Sequence, residues 1–192
     1  MQKNHPTECE FKSLLTENEY KRLMGHFSNA KFDFQTNHYF DTKRFSLKAV
    51  NASLRVRERD ELSMTYKRKK GYNNDVTTVL VTKAEFEDLK NTGELKNEEV
   101  YNEISGIIKD QKLINFLSLS TLRAFVPYAS GILNIDKSEY LGIVDYELEF
   151  ATKSYHLGKS DFIKILGEFG IQYKKSDKKI KRAFNALKNM DE

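Results

Sequence analysis

The segment Glu8-Cys9-Glu10-Phe11-Lys12 carries two carboxylates and an ammonium group at alternate positions near the N-terminus. Side chains two apart on a β-strand share one face, so Glu8, Glu10 and Lys12 would point the same way. Two carboxylates this close repel one another unless a cation or a hydrogen-bond donor lies between them. The segment therefore predicts either a solvated surface strand or a strand that faces a metal site.

The acidic pattern returns in the segment 143–150, where Asp145, Glu147 and Glu149 alternate with apolar residues. On a strand these three carboxylates would again share one face, with the apolar side chains on the other. Carboxylate oxygens are the ligands that Mg²⁺ and Mn²⁺ prefer. The repetition of the pattern favours a metal site over a solvated surface.

Two neighbouring segments carry rows of basic side chains. Arg55, Arg57 and Arg59 would lie on one strand face about 7 Å apart, and Lys67 and Lys69 would share a face of the strand that follows. Rows of like charge on neighbouring strands destabilise each other. We therefore expect an anion to bind there, with a solvated face or a nucleic-acid groove as the alternatives.

Length and composition predict one domain over residues 1–192, with an apolar content of 39% and a net charge of +4 that does not demand nucleic acid. The single cysteine, Cys9, excludes an internal disulfide and suits a reducing compartment. The N-terminus shows no apolar leader region, and no apolar run reaches the length of a membrane span. We expect a cytoplasmic protein with no membrane segment.

Capping boxes and apolar spacing predict the helices. Thr16 with Glu19 and Thr82 with Glu85 have the sequence of capping boxes. Helices are expected over about 17–28, from Thr82 to near Gly93, over 109–119, from Ser160 to Gly170, and from Ser176 onward. The segment 94–106 is acidic and gives no clear prediction.

The strands explain how the charges are sorted. We count about seven or eight strands, several of which have one apolar face and one face with charges of a single sign. A closed antiparallel barrel alternates inward and outward side chains along every strand. With helices covering the apolar faces, the charged faces and Arg123 would line the interior. Such an interior suits an anionic ligand with a hard cation.

These residues resemble the CYTH superfamily, the triphosphate tunnel metalloenzymes, of the small single-domain bacterial type. The resemblance begins with Glu8-x-Glu10-x-Lys12 and spans nearly the whole chain in order. It continues through Leu54-Arg55-Val56-Arg57-Glu58, Tyr66-Lys67, Arg123, Asp136, Asp145-Tyr146-Glu147-Leu148-Glu149 and Lys179-Ile180-x-Arg182. It implies an α+β fold in which an eight-stranded antiparallel β-barrel forms a tunnel, with helices packed on the outside.

The resemblance also implies a metal-dependent triphosphatase and its site residues. The divalent metal, Mg²⁺ or Mn²⁺, would be held by Glu8, Glu10, Asp145, Glu147 and Glu149. The triphosphate would be bound by Lys12, Arg55, Arg57, Arg59, Lys67, Lys69, Arg123, Lys179 and Arg182. The groups closest to the chemistry would be Glu8, Glu10, Lys12 and Lys67.

The substrate would be inorganic tripolyphosphate or a small organic triphosphate such as thiamine triphosphate. One alternative is a class IV type adenylate cyclase, and another is a polyphosphate or nucleic-acid binding module without turnover. Nucleic acid is disfavoured as a partner because the paired carboxylates would repel phosphates in the absence of metal. A monomer and a homodimer both remain open.

Overall fold

The computed structural model describes residues 9–71 and 73–190, and within them the chain forms eight strands and six helices. The strands are β1 (Cys9–Leu15), β2 (Lys31–Thr42), β3 (Ala52–Glu58), β4 (Leu62–Lys70), β5 (Asn73–Leu80), β6 (Leu113–Tyr128), β7 (Gly131–Tyr140) and β8 (Ile143–Thr152). The helices are α1 (Glu17–His26), α2 (Ser46–Ala49), α3 (Lys83–Thr92), α4 (Glu98–Ile108), α5 (Tyr155–Glu168) and α6 (Lys179–Met190).

The strands form one antiparallel sheet in the order β1-β8-β7-β6-β2-β3-β4-β5. The predicted α+β class with eight antiparallel strands is confirmed, whereas the pairing of the described strands runs from β1 to β5 and does not close the predicted barrel. The turn between β7 and β8 consists of Leu141 and Gly142, both with positive φ, 50° and 74°. Such two-residue turns match the twist of antiparallel strands and fix their register. The pairing of Tyr140 with Ile143 therefore determines which residues of β7 and β8 lie opposite each other.

Residues 9–34 and 121–190 form the first of two compact units. Its core includes Leu23 of α1, Leu148 and Phe150 of β8, and Phe162 and Ile165 of α5. α1 begins at the capping box that the sequence predicts, with the Thr16 side chain accepting the backbone N–H of the third helical residue. α5 covers the apolar faces of β1 and β8, which leaves their opposite faces to the charged residues.

Residues 35–120 form the second unit, which has a core of its own. Leu54 of β3, Met64 and Tyr66 of β4, and Leu89 of α3 are each about 1% exposed within it. α3 opens with the second predicted capping box and ends at Gly93, whose φ of 72° explains why glycine stands there. The alternation of apolar and basic residues on β3 and β4 thus follows the sequence prediction.

One predicted helix is wrong in position, and another helix forms where none was predicted. The segment 109–119 is predicted as a helix, but from Leu113 onward it belongs to β6. The segment 94–106 instead contains most of α4, which begins after the N-cap Asn97. Short apolar runs fit both the period of a helix and that of a strand. Here pairing with neighbouring strands makes the segment part of the sheet. No helix among the described residues is long and apolar enough to cross a membrane.

The start of α5 is also predicted wrongly. Ser154, and not Ser160, caps the helix by accepting the backbone N–H of Leu157 at 3.4 Å. Ile163, an apolar residue of this helix, is 59% exposed. Both serines have suitable side chains, and the earlier one is used because the chain leaves β8 at that point.

A charged candidate site on β7, β8 and α6

Three carboxylates are buried together on β7 and β8 in the first unit. Asp136 is 0% exposed, Glu147 is 1% exposed and Glu149 is 5% exposed. The register of the hairpin places Asp136 opposite Glu147. One oxygen from each of the three groups lies within 4.8 Å of the other two. Burying ionised carboxylates without partners would be strongly unfavourable. The positively charged side chains around them are therefore needed to stabilise them.

Arg123 and Lys179 neutralise Asp136 directly. The Arg123 guanidinium, on β6, donates through Nε and one terminal nitrogen to the two Asp136 oxygens, both at 2.7 Å. Lys179 Nζ lies 2.7 Å from Asp136 Oδ2 and also 2.7 Å from Glu147 Oε1. The Lys179 ammonium therefore bridges two facing carboxylates from the start of α6. Bidentate and charge-assisted bonds of this kind are among the strongest that proteins make.

Glu149 is held by Lys12, Asn134 and Arg123. Its nearest partner is Lys12 Nζ at 2.9 Å, followed by Asn134 Nδ2 at 3.2 Å and Arg123 at 3.4 Å. Lys12 pairs with Glu149 in the register between β1 and β8. Burial lowers the pKa of Lys12, but the bond to Glu10 and the charge of Glu149 outweigh it and raise the pKa above 10.5. Lys12 therefore stays charged throughout the physiological range.

Glu147 is held by Lys179, Arg182 and Ser176. Burial raises its pKa, but the charge and hydrogen bond of Lys179, the Ser176 hydroxyl and Arg182 outweigh burial and lower the pKa to about 2. Arg182 lies 2.8 Å from Glu147 Oε2, and Ser176 donates to the same oxygen. Glu147 is therefore ionised at any pH at which the protein would work.

Asp145 is engaged differently from the other acidic residues of β8. Arg182 donates to both of its oxygens, through Nε at 2.8 Å and a terminal nitrogen at 3.0 Å. The Tyr140 hydroxyl donates to Asp145 at 2.7 Å, and burial together with this bond raises the pKa of Tyr140 to about 12. Asp145 thus binds α6 to β8, while the buried trio of Asp136, Glu147 and Glu149 lies further along the strands.

The trio has the donor chemistry of a site for a hard divalent cation. Its candidate ligand atoms are carboxylate oxygens alone, which suit Mg²⁺ and Mn²⁺. Asp136 is missing from the metal ligands that the sequence predicts. The two-residue turn at Leu141 and Gly142 could have revealed it, because counting back from that turn puts residue 136 opposite Glu147.

The N-terminal pair of carboxylates is only partly described. Glu10 lies on β1 with 47% of its side chain exposed, and it contacts Lys12 at 2.8 Å. Glu8 lies outside the described residues. The metal role of both residues therefore stays a prediction.

The predicted basic rows lie on β3 and β4 of the second unit. Arg55 and Arg57 are half-buried, and Arg57 Nε donates to Asn37 Oδ1 at 3.2 Å. Arg55 Nε is buried and makes no hydrogen bond, an unsatisfied donor of the kind that native structures seldom leave without a reason. Lys67 and Lys69 are exposed on β4. Arg59 follows the end of β3, with its Nε 3.8 Å from the Asp60 carboxylate.

The sequence matches the CYTH domain family over residues 6–184. The chain belongs to this family. It is 31% identical over 191 residues to the protein named "Putative triphosphatase YjbK" of Bacillus subtilis strain 168, covering 92% of this chain and 94% of that one.

Two solved structures resemble this CYTH chain over nearly its full length. A "putative adenylate cyclase" from Bacillus halodurans is 32% identical, with a TM-score of 0.74 and coverage of 92% of this chain and 97% of the other. An adenylyl cyclase homologue from Hippeastrum, HpAC1, described as having a dominant triphosphatase activity, is 20% identical with a TM-score of 0.75. It covers 96% of both chains, and at that identity it supports the fold alone.

The structure of this CYTH domain brings together part of the predicted site. In the first unit the predicted residues form two groups of ion pairs, one made of Glu10, Lys12, Arg123 and Glu149 and the other of Asp145, Glu147, Lys179 and Arg182. Asp136, which is absent from the predicted site residues, links the two groups through Arg123 and Lys179. In the second unit the arginines of β3 and the lysines of β4 lie on paired strands, as the alternation predicts.

Proposed function

We propose that this CYTH domain is a metal-dependent triphosphatase that hydrolyses inorganic tripolyphosphate or a small organic triphosphate. The buried trio of Asp136, Glu147 and Glu149, packed among Lys12, Arg123 and Lys179, carries the proposal. Phosphoryl transfer depends on positioning and on neutralising the charge of the phosphate oxygens, and needs little covalent chemistry from the protein. A cluster with both signs of charge meets that requirement.

We assign the metal to the carboxylates. Glu147, Glu149 and Asp136 would hold Mg²⁺ or Mn²⁺, together with Glu10 and Glu8 of the N-terminal segment. A bound divalent ion would neutralise phosphate oxygens and favour formation of the attacking hydroxide. Because Glu147 has a pKa of about 2, no proton has to leave this ligand at neutral pH.

The basic residues of the first unit are assigned to the phosphate chain. A lysine ammonium has three donors and an arginine guanidinium has five. Lys12, Arg123 and Lys179 each contact carboxylates through some of these donors. Each can also donate to a phosphate oxygen while it remains bonded to its carboxylate. These residues would hold the anion close to the acidic cluster without losing their own orientation.

The basic rows of the second unit are also assigned to the phosphate chain. Arg55, Arg57, Lys67, Lys69 and Arg59 present guanidinium and ammonium groups, which bind phosphate through charge-assisted bonds. The buried, unbonded Nε of Arg55 supports this assignment, since an anionic oxygen would satisfy it. Lys67 is also assigned a role near the reacting phosphate.

The test is phosphate release from tripolyphosphate, thiamine triphosphate and ATP, each with Mg²⁺ and with Mn²⁺. We expect orthophosphate from at least one of these compounds, with no release in EDTA. Replacing Glu10 by Gln, or Glu147 by Gln, should abolish release. Glu139→Gln is the matched control and should retain it, since the Glu139 side chain is 55% exposed on β7 and pairs with Lys137. Undiminished release in Glu10→Gln would reject the assignment of that residue.

Product analysis separates the alternatives. A class IV type adenylate cyclase, which similar machinery could support, would convert ATP into cyclic AMP and pyrophosphate without releasing orthophosphate. A polyphosphate or nucleic-acid binding module would bind the compounds and release nothing with either metal. Either result would overturn the triphosphatase proposal.

A further inference from the structure

Helix α6 is attached to the rest of the first unit by apolar and by charged side chains. Ala183 is buried, and Ile180, Phe184 and Leu187 on the same face are half-buried. Such an apolar face commonly packs on the core. Ion pairs are a second set of contacts that determine where α6 lies.

The first turns of α6 supply those contacts. Lys179 and Arg182 are three residues apart, so their side chains lie on the same face of the helix. Lysine and arginine oppose the helix dipole at this end, and carboxylates favour it. Here Asp136, Asp145 and Glu147 of β7 and β8 approach the two basic side chains and offset that cost.

Arg182 is more completely bonded than Lys179. Its guanidinium reaches both oxygens of Asp145, Glu147, the Ser176 hydroxyl at 2.7 Å and the backbone carbonyl of Asp177 at 2.5 Å. These bonds use Nε and both terminal nitrogens. Because its N–H groups donate to Asp145, to Glu147 and to the segment that precedes α6, Arg182 has few donors left for a ligand.

The segment that precedes α6 has a separate attachment. The backbone carbonyl of Lys174 accepts the N–H of Leu14 at 2.9 Å, and the Lys174 N–H donates to Ser13 at 2.9 Å. The chain is thus fixed at 174 on β1 and again at 182 on β8. Lys179 lies between these two points, and its place against Asp136 and Glu147 depends on both.

We propose that Arg182 is a positioning residue and that Asp145 is its anchor, so that the Arg182–Asp145 pair docks α6 and sets Lys179 between Asp136 and Glu147. This refines the sequence-based assignment, in which Arg182 contacts phosphate and Asp145 binds metal. The proposal depends on the triphosphatase function only in assigning Lys179 to the phosphate chain.

The test is a double-mutant cycle of Asp145→Asn and Arg182→Ala with two readouts. The first is hydrogen–deuterium exchange of the α6 amides in metal-free protein. We expect protection in α6 to fall in both single variants, and to fall no further in the double variant than in Arg182→Ala, because both changes remove the Arg182–Asp145 contact. The decrease should be larger in Arg182→Ala, which also loses the bonds to Glu147, Ser176 and Asp177. The control is Lys181→Ala, which removes an exposed charge from the same helix and should leave exchange in α6 nearly unchanged.

The second readout is the kinetics of tripolyphosphate hydrolysis. Losing a charge-assisted contact should raise KM about tenfold in each single variant, with a smaller change in kcat and no further increase in the double variant. Arg182→Lys should also raise KM, because a lysine cannot make the bidentate bond to Asp145.

Two outcomes would overturn the proposal. If Arg182→Ala raises KM while Asp145→Asn does not, Arg182 binds the phosphate itself. If exchange in α6 is unaffected by either variant, the pair does not dock the helix. The exchange readout requires no turnover, so it decides the docking role even when the wild-type protein releases no phosphate and the triphosphatase proposal fails.

Discussion

Buried carboxylates at two positions of this protein are stabilised in different ways. Asp136 in the first unit is balanced by the side chains of Arg123 and Lys179. Asp41 in the second unit accepts backbone N–H groups, those of Thr42 at 2.7 Å, Leu47 at 2.9 Å and Lys48 at 3.0 Å. The first arrangement places two positively charged side chains at the candidate site. The second fixes the loop and short helix between β2 and β3.

Asp41→Asn should lower the free energy of unfolding by about 2–3 kcal/mol, because an amide loses the charge and turns an N–H group toward backbone donors. Asp41 is 3% exposed, so water cannot replace the lost acceptor. Urea unfolding would measure the change. The matched control is Asp60→Asn, whose carboxylate is 94% exposed and which should alter stability by no more than about 0.5 kcal/mol. Equal stability of the two variants would contradict the structural role of Asp41.

Glu147 should give the protein a pH-dependent stability. Its pKa is about 2 in the folded protein against an ordinary value of 4.5. A lowered pKa means that the stabilisation is fully present above pH 4.5 and is lost as the pH falls toward 2. Glu147→Gln should therefore be less stable than wild type above pH 4.5, and the difference should shrink as the pH falls toward 2.

Urea unfolding in EDTA between about pH 2 and pH 6 would test this dependence, with an expected difference on the order of 3 kcal/mol at the upper end. Glu139→Gln serves as the control, since it removes a carboxylate that is 55% exposed on β7. If the difference in the free energy of unfolding between wild type and Glu147→Gln stayed constant with pH, the charge of Glu147 would not be what stabilises the fold.

At the scale of elements, some helix starts are determined by local sequence signals, whereas other helices and strands depend on contacts with distant parts of the chain. The capping boxes of α1 and α3 are read correctly from sequence because every group in such a box lies within four residues. β6 is predicted wrongly over 109–119 because its strand character comes from pairing with distant strands. Packing also constrains α5, because Gly158 has no side chain and so allows the helix to approach β1 and β8 closely.

Gly158→Ala should destabilise the protein by about 1–3 kcal/mol, since the added methyl group overpacks the contact between α5 and the sheet. A Cβ at this position would lie 2.2 Å from Thr152 Cγ2 and 2.8 Å from Phe11 Cε2. Gly167→Ala on the same helix is the control, because a Cβ there meets nothing within 4 Å. It should be neutral or stabilising by up to about 1 kcal/mol. Thermal unfolding would compare the two variants, and equal melting temperatures would contradict the close approach.

At the scale of the whole molecule, each of the two units has its own hydrophobic core. The acidic trio lies in the first unit and the arginine row of β3 in the second. A ligand that binds only the folded form stabilises the fold by mass action. Metal binding should therefore be visible as a change in global stability.

Mn²⁺ at about 100 times its dissociation constant should stabilise the protein by about 2.7 kcal/mol and raise its melting temperature by roughly 5–10 °C. EDTA should reverse the rise. Glu149→Gln should lose most of it, because a buried ligand oxygen becomes an amide, and Glu139→Gln should keep it. Differential scanning calorimetry would measure these shifts. An identical rise in Glu149→Gln and wild type would place the metal elsewhere.

The sequence by itself determined which side chains share a strand face, because alternation along a strand depends only on the backbone. It therefore predicted the acidic face of β8, the basic faces of β3 and β4 and the two capping boxes. The register that puts Asp136 opposite Glu147 was not predicted, although the turn at Leu141 and Gly142 determines it. The family resemblance followed from the same residues.

Tertiary structure alone decided which charges meet. Lys179 bridges Asp136 and Glu147, and Arg182 binds Asp145, across more than thirty residues of sequence. No local pattern contains that information, because the position of α6 depends on where the chain after α5 returns along β1. The same long-range pairing makes residues 113–119 of β6 a strand, although their apolar spacing also fits a helix.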